Sequence, residues 1–327
     1  MLIKYLLGGK VQRDSHQVQQ IMHRLLYGLL GIFSSFLFVS PTYANLTAGD
    51  WLRAMHHAVH HLQYTGRLVY QVGSAMEVMQ MQHERSAAQE FAHLHSLNGT
   101  PHEIVRRKGQ PGNAPPHQPI LISGIQKHTL GLNCLFKYQQ MALYYQPRLK
   151  DQHRIAGRMT QIIEIEPKDN LRFGQRLYLD LETKLPLRSI LLSPDGETLA
   201  QTLFVDLQVK PATANKQPIH HPSGKPTLLD HAIINQRWQF RQLPAGFTIQ
   251  LHHYQPIADR EHFVFSDGLS VISLYIEPWL KTGLKGYSKK GATWVLGVHK
   301  HNRRITLLGE VPRVTLQRMA DAIHPMQ

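Results

Sequence analysis

The sequence predicts an α+β protein of two domains. Three observations predict it. A capped amphipathic helix near residues 47–62 is followed by alternating strand-like runs. A three-stranded meander reads out of residues 172–209. A proline-rich stretch without apolar period, residues 210–226, then separates this material from a second set of hairpins that closes with a helix. The expected division is a β domain over 45–210, a linker over 211–230 and a small α+β domain over 231–327.

Residues 22–44 read MHRLLYGLLGIFSSFLFVSPTYA. His23 and Arg24 form a basic start, and Leu25 to Val39 form an apolar run. Thr42-Tyr43-Ala44 then puts small residues at the two recognition positions of a signal peptidase site. That order is a secretory signal peptide, expected to be cleaved after Ala44. The run is shorter than the roughly 18 apolar residues of a spanning helix. An uncleaved anchor is the alternative. No cysteine follows the run, which argues against a lipid anchor. Met22 is the expected start. Residues 1–44, extension plus signal peptide, are therefore left out of the fold.

The whole chain carries a formal +14, and the residues after Ala44 carry +11. Basic charge raises nucleic acid as a partner, but export argues against it. The anionic partners outside the cytoplasm are lipid head groups, lipopolysaccharide and acidic protein segments. Solubility alone is the competing use of the charge. Cys134 is the only cysteine, so no intramolecular disulfide forms, and a buried small hydrophobe is expected there.

Element by element, Thr47 with Asp50 three residues on fits a capping box. Trp51, Leu52, Met55, Ala58, Val59 and Leu62 form the apolar stripe of that helix. His56, His57, His60 and His61 fall on the opposite face, one turn apart in two pairs. A metal site needs more than two imidazoles, and this helix offers no carboxylate beside them. The solvated face is the default reading; a weak metal site and a pH-responsive surface stay open. Two strands then alternate around Leu68, Tyr70 and Val72 and around Met76, Val78 and Gln80. Met79 and Met81 suit either an adaptable surface or core filling. Asn98-Gly99 turns a further pair of strands, and 109–119, with four prolines, is a loop.

The meander follows. Leu177, Leu179 and Leu181 form one face, Glu182-Thr183-Lys184 a turn, Leu185 to Leu192 a second strand and Pro194-Asp195-Gly196 another turn. A third strand is expected to put Leu199, Leu203, Val205 and Leu207 on one face. The first helix is the obvious cover for this sheet. In the second domain, two strands are expected around Pro244-Ala245-Gly246. Hairpins turn at Asp267-Gly268 and near Asn302-Arg303. A final helix carries Leu316, Met319, Ala320 and Ile323 and stops at Pro325.

No G-x-S-x-G, zincin helix, phosphate loop or C-x-x-C occurs. No enzyme is expected, although dispersed Ser, His and Asp can assemble a triad only visible in space. No cofactor is expected.

Several stretches together resemble the MucB/RseB family: WLRAMHHAVHHLQYTGRLVY, RLYLDLETKLPLRSILLSPDGETLAQTLFVDLQV, LPAGF, HFVFSDGLSVISLYIE and ITLLGEVPRVTLQRMADAI. The resemblance spans about Trp51 to Ile323; the histidine-rich helix and residues 101–160 depart from it. It implies a lipoprotein-carrier-like N-terminal domain, a curved and incompletely closed antiparallel sheet with covering helices, and a smaller α+β C-terminal domain. It implies a periplasmic negative regulator that binds the periplasmic segment of a single-span anti-sigma factor and shields it from proteolysis. Lipid, lipopolysaccharide or lipoprotein acyl chains are the implied release signals. A periplasmic lipid or lipoprotein carrier is the alternative. Homo-oligomer formation stays open.

Arg106, Arg107 and Lys108, and Lys285, Lys289 and Lys290, are the candidates for a head-group or partner-binding rim, with a solvated surface as the plain reading of both runs. The family-motif residues Trp51, Tyr64, Gly66, Asp180, Pro186, Gly196, Gly246, Ser266, Asp267, Gly268, Gly309, Glu310 and Pro312 are read as structural.

Overall fold

Thr47 caps the first helix as expected. Its hydroxyl accepts from the Asp50 backbone at 3.2 Å, and the Asp50 carboxylate accepts from the Thr47 backbone at 2.9 Å. Helix α1 (Ala48–His61) buries Trp51, Leu52, Met55, Ala58 and Val59. The computed structural model describes residues 46–85, 90–99, 101, 103–108, 138–210, 237–279 and 283–326. The signal peptide, Cys134, the 109–119 loop and the 211–230 linker lie outside the described residues.

Beneath α1 run β1 (Gln63–Val72), β2 (Ala75–Arg85), β3 (Glu90–Ser96) and β4 (Glu103–Lys108). Helix α2 (Tyr138–Tyr144) leads into β5 (Tyr145–Ile155), β6 (Arg158–Pro167), β7 (Gly174–Asp180), β8 (Pro186–Leu192) and β9 (Thr198–Lys210). They form one antiparallel sheet in the order β4-β3-β2-β1-β9-β8-β7-β6-β5, in which β4 and β5 are unjoined edges among the described residues. The sheet is open, as expected. Its covered face and α1 share a core that includes Leu68, Met79, Met81, Leu94, Ile163 and Phe204. Each fully buried side chain of this kind contributes about 1.5–3 kcal/mol. Met79 and Met81 thus fill core, and the even residues Tyr64, Gly66 and Leu68 are the buried face of β1.

Two details of the meander differ from expectation. Tyr178 and Asp180 are buried along with Leu177 and Leu179, so β7 is covered on both faces. In β9 the buried residues are Ala200, Thr202 and Phe204, and Val205 is exposed. The register shifts there: Leu68 pairs with Phe204 but Arg67 with Asp206. This bulge inserts Val205 and swaps faces, so Leu207 and Val209 reach the core from the other parity. A strict two-residue alternation cannot foresee it.

The C-terminal part contains β10 (Trp238–Phe240), β11 (Thr248–Gln255), β12 (Arg260–Ser266), β13 (Val271–Pro278), β14 (Gly286–Lys290), β15 (Thr293–Lys300), β16 (Arg303–Gly309), helix α3 (Arg313–Asp321) and β17 (Ile323–Pro325). Six strands form an antiparallel sheet in the order β11-β12-β13-β16-β15-β14. Helix α3 covers one face through Leu316, Met319 and Ala320, against Phe263, Phe265, Leu274 and Leu307. Both expected hairpins are present. The strands around Pro244-Ala245-Gly246 do not pair with each other. β10 pairs instead with β17, which takes Ile323 out of the closing helix and into a strand. Trp238 explains the choice: it is buried, and its indole donates to Glu261 at 3.0 Å.

Candidate functional site

The chain from Lys168 to Phe173 joins the two sheets, and three successive residues touch the C-terminal part. Leu171 accepts a hydrogen bond at its carbonyl from Thr315 Oγ1 at 2.6 Å. Arg172, fully buried, donates from Nη2 to the Ala245 carbonyl at 2.6 Å. Phe173 packs with Leu191, Ala200 and Ala292, and Trp294 and Val72 lie against the same cluster.

Arg172 sits in an aromatic box. Its guanidinium lies 4.7 Å from the Tyr144 ring centroid and 5.5 Å from those of Tyr145 and Phe247. Asp169 at 3.3 Å and Asp267 at 3.5 Å answer its charge. Asp267 is held in turn: Oδ1 accepts the Leu269 and Ser270 amides at 2.9 and 2.7 Å, and Oδ2 accepts the Tyr145 hydroxyl at 3.0 Å. Burial pushes the Asp267 carboxyl above its ordinary value, against those amides and Arg172. Burial, with Asp267 beside it, also raises the Tyr145 phenol. Gln140 donates to the Gly246 carbonyl at 2.8 Å. Gly246 has φ +88°, and a Cβ there would enter the Tyr144 ring. Residues 46–327 form one compact unit, and these contacts are its central joint.

The remaining family-motif residues occupy the following positions. Trp51 is buried under Lys184, whose Nζ lies 4.0 Å from its ring centroid. Tyr64 is buried in the first core. A Cβ on Gly66 would collide with the Asp206 carbonyl beside the bulge. Asp180 accepts from Arg158 at 3.0 and 2.9 Å and from Thr183. Pro186 starts β8, and Gly196 makes the tight turn at φ +82°. Ser266 Oγ accepts the Gly268 amide at 3.0 Å, shaping the turn that presents Asp267. Gly309 lies against the Val271 carbonyl, Glu310 is buried and Pro312 is the N-cap of α3.

The histidine helix corrects the solvated-face reading. His57 and His61 are exposed and stacked, with ring centroids 3.9 Å apart. His60 is buried, and its Nδ1 lies 2.7 Å from Glu90 Oε1 on β3. His56 is half-buried against it, with ring centroids 4.7 Å apart. The carboxylate absent from the helix comes from thirty residues downstream, which helix spacing cannot reveal. Among the described residues, no group of three or more His, Cys, Asp or Glu could hold a metal ion.

The two basic runs are placed differently. Arg106, Arg107 and Lys108 belong to edge strand β4, and their side chains lie outside the described residues. Lys285, Lys289 and Lys290 are exposed at edge strand β14 and its entry. Lys285 lies 5.3 Å from the Trp279 ring centroid and Lys289 5.3 Å from that of Trp294. Arg313 adds a cation 4.2 Å from the Tyr287 ring centroid. The edge is therefore cationic and aromatic, a pattern suited to anionic amphiphiles or acidic segments. Sequence analysis missed the aromatic partners: β14–β15 pairing sets Trp294 opposite Lys289, while Trp279 and Tyr287 meet Lys285 and Arg313 without strand pairing between them.

Open sheet, covering helix and a buried joint to a smaller α+β unit define a two-domain α+β protein of the β-rich, helix-covered class. Comparison narrows the class. The MucB/RseB N-terminal domain matches residues 47–258, and the MucB/RseB C-terminal domain matches 233–324. The sigma-E factor regulatory protein RseB of Salmonella typhimurium is 25% identical over 319 residues, covering 92% of this chain and 98% of that protein. The sigma factor AlgU regulatory protein MucB of Pseudomonas aeruginosa is 28% identical over 326 residues, covering 91% and 96%. A crystal structure of MucB in complex with MucA(peri) superposes with a TM-score of 0.62 at 27% identity, covering 86% of this chain and 99% of that one. The chain belongs to the MucB/RseB family.

Proposed function

We propose that the protein is a non-enzymatic negative regulator of an extracytoplasmic-stress sigma factor. It acts in the periplasm, on the periplasmic segment of a membrane-spanning anti-sigma factor. The observation that carries the reading is the full-length likeness, both domains in order, to a MucB solved in complex with MucA(peri). While bound, the protein shields the segment from the protease that would start its degradation. Lipid-like signals release it: an acyl ligand that prefers the form unable to hold the segment shifts the population away from the complex. The basic, aromatic β14 edge is where an anionic head group would first be met.

The test is a pull-down. Residues 45–327 are immobilised and a detergent extract of the source envelope is passed over them. Retention of a single-span protein with a cytoplasmic sigma-binding domain, eluted by added lipopolysaccharide, is the expected result. Retention of lipoproteins or lipid alone would replace the reading with a periplasmic carrier.

A further inference from the structure

One end of the C-terminal sheet carries an apolar tip among cations, and the regulator reading does not use it. Pro256-Ile257-Ala258-Asp259 joins β11 to β12 in a tight turn, closed by the Asp259 amide donating to the Pro256 carbonyl at 3.2 Å. Pro256, Ile257 and Ala258 are all exposed, and Ile257 reaches 105%, so nothing packs on it. Turn chemistry does not require this. Turns select Gly, Asn, Asp, Ser and Pro, and a β-branched hydrophobe at the apex leaves its whole side chain in water. The turn is also pinned. Asp259 Oδ1 accepts from Arg237 at 2.8 Å and from the Tyr254 hydroxyl at 3.2 Å, and Oδ2 accepts from Arg303 at the start of β16.

A single exposed Ile is ordinary, but this one has neighbours of a defined kind. Tyr254 is 37% exposed, with the Arg237 guanidinium 4.5 Å from its ring centroid. Pro278 pairs with Arg303, so Trp279 follows at the same end of the sheet. Trp279 stacks on His299 with centroids 4.0 Å apart, and Lys285 lies 5.3 Å from its ring. Arg237 and Arg303 balance Asp259 and the buried Glu261. Arg260 and Arg304 share the one carboxylate of Glu277. Lys285 and Lys300 add two cations, and Asp321 at the end of α3 adds one carboxylate, so the surplus is positive. The whole end lies away from the joint. Asp267 follows the other end of β12, seven residues of strand or roughly 20 Å distant. Lys289 and Lys290 are also elsewhere: Gly286 pairs with Gly297 near this end, but Lys290 pairs with Thr293 at the far end of β14.

We propose that this end of the C-terminal sheet is a membrane seat, on which the protein rests against an anionic phospholipid bilayer. Ile257 enters the head-group region, Tyr254 and Trp279 lie at the boundary between water and lipid, and the surplus cations meet lipid phosphates. Charge alone fits an acidic protein equally well. The projecting Pro256-Ile257-Ala258 tip decides for lipid, because it is a wedge that a soft interface accepts and not a groove that a side chain fills. The inference stands on this geometry and not on the regulator reading. Under that reading the seat places the protein on the bilayer that anchors its partner.

The experiment is co-sedimentation of residues 45–327 with vesicles of phosphatidylglycerol mixed into phosphatidylcholine, beside vesicles of phosphatidylcholine alone. No anti-sigma factor is present, so the outcome is separate from that of the pull-down. The protein should pellet with the anionic vesicles and stay in solution with the neutral ones. Raising salt from about 0.1 M to about 1 M should release most of it, as the screening length falls from about 10 Å to about 3 Å. Ile257→Ser, at a position where nothing packs, should weaken partition about tenfold, the loss of one inserted aliphatic side chain. Leu143→Ser removes an equally exposed kind of side chain, 66% accessible on α2, and should leave binding unchanged. Failure to pellet with anionic vesicles would overturn the seat, as would an Ile257→Ser variant that pellets like wild type. So would lipid recovered with the protein in the supernatant, which marks extraction of lipid and not docking.

Discussion

Replacing Arg172 by Met should loosen the joint between the two sheets. Arg172 is fully buried, and its substitution leaves the Asp267 carboxylate buried without its cation. Breaking a buried pair in this way costs about 3–5 kcal/mol. Asp267 keeps the Leu269 and Ser270 amides and the Tyr145 hydroxyl, which places the loss at the lower end. The Ala245 carbonyl also loses its donor. The pair as a whole adds little, because burial already holds Asp267 above its ordinary value despite Arg172. Removing both charges should therefore be milder than removing one. Arg172→Met/Asp267→Asn is predicted to recover about 1–2 kcal/mol of the single-variant loss. Urea unfolding of residues 45–327 measures both losses, and calorimetry reports whether one transition splits into two. A loss under about 1 kcal/mol for Arg172→Met, the range of an exposed pair, would refute the reasoning. So would a double variant weaker than the single.

Three further expectations are independent of that joint. Gly246→Ala, at φ +88° with the Tyr144 ring in the path of its Cβ, should destabilise by roughly 1–3 kcal/mol in the same urea assay. His262 is held down to about 4, first by burial and then by the nearby His253, Arg260 and His252. A group lowered in this way leaves stability intact above pH 6.5 and removes it as pH falls towards about 4. The loss is roughly 3 kcal/mol at about 1.4 kcal/mol per pH unit. His262→Phe, which keeps the stack on Tyr275, should flatten that fall; an unchanged slope would sink the assignment. Asp50→Ala removes half of the α1 capping box and should cost about 1 kcal/mol, read as a lower urea midpoint.

Local chemistry made much of the fold legible. The Thr47–Asp50 box, the Asp267-Gly268 hairpin and the Pro194-Asp195-Gly196 turn are each fixed by a few neighbouring residues, and all three form as read. What escaped was set by distant contacts. The Val205 bulge is decided by pairing with β1, and the capture of Ile323 by β10 depends on where Trp238 is buried. The candidate site follows the same division. Ser266-Asp267-Gly268 is legible as a turn, but nothing beside Asp267 in the sequence announces Arg172, ninety-five residues upstream. His60 reads as solvent-facing because Glu90 arrives from another element.

The most direct test of the regulator reading is protection. The periplasmic segment of the anti-sigma factor from the same organism is incubated with its initiating protease, with and without residues 45–327. The account predicts saturable binding and a cleavage rate that falls as the complex fills, restored when lipopolysaccharide is added. Cleavage at the same rate whether or not the segment is bound would contradict it.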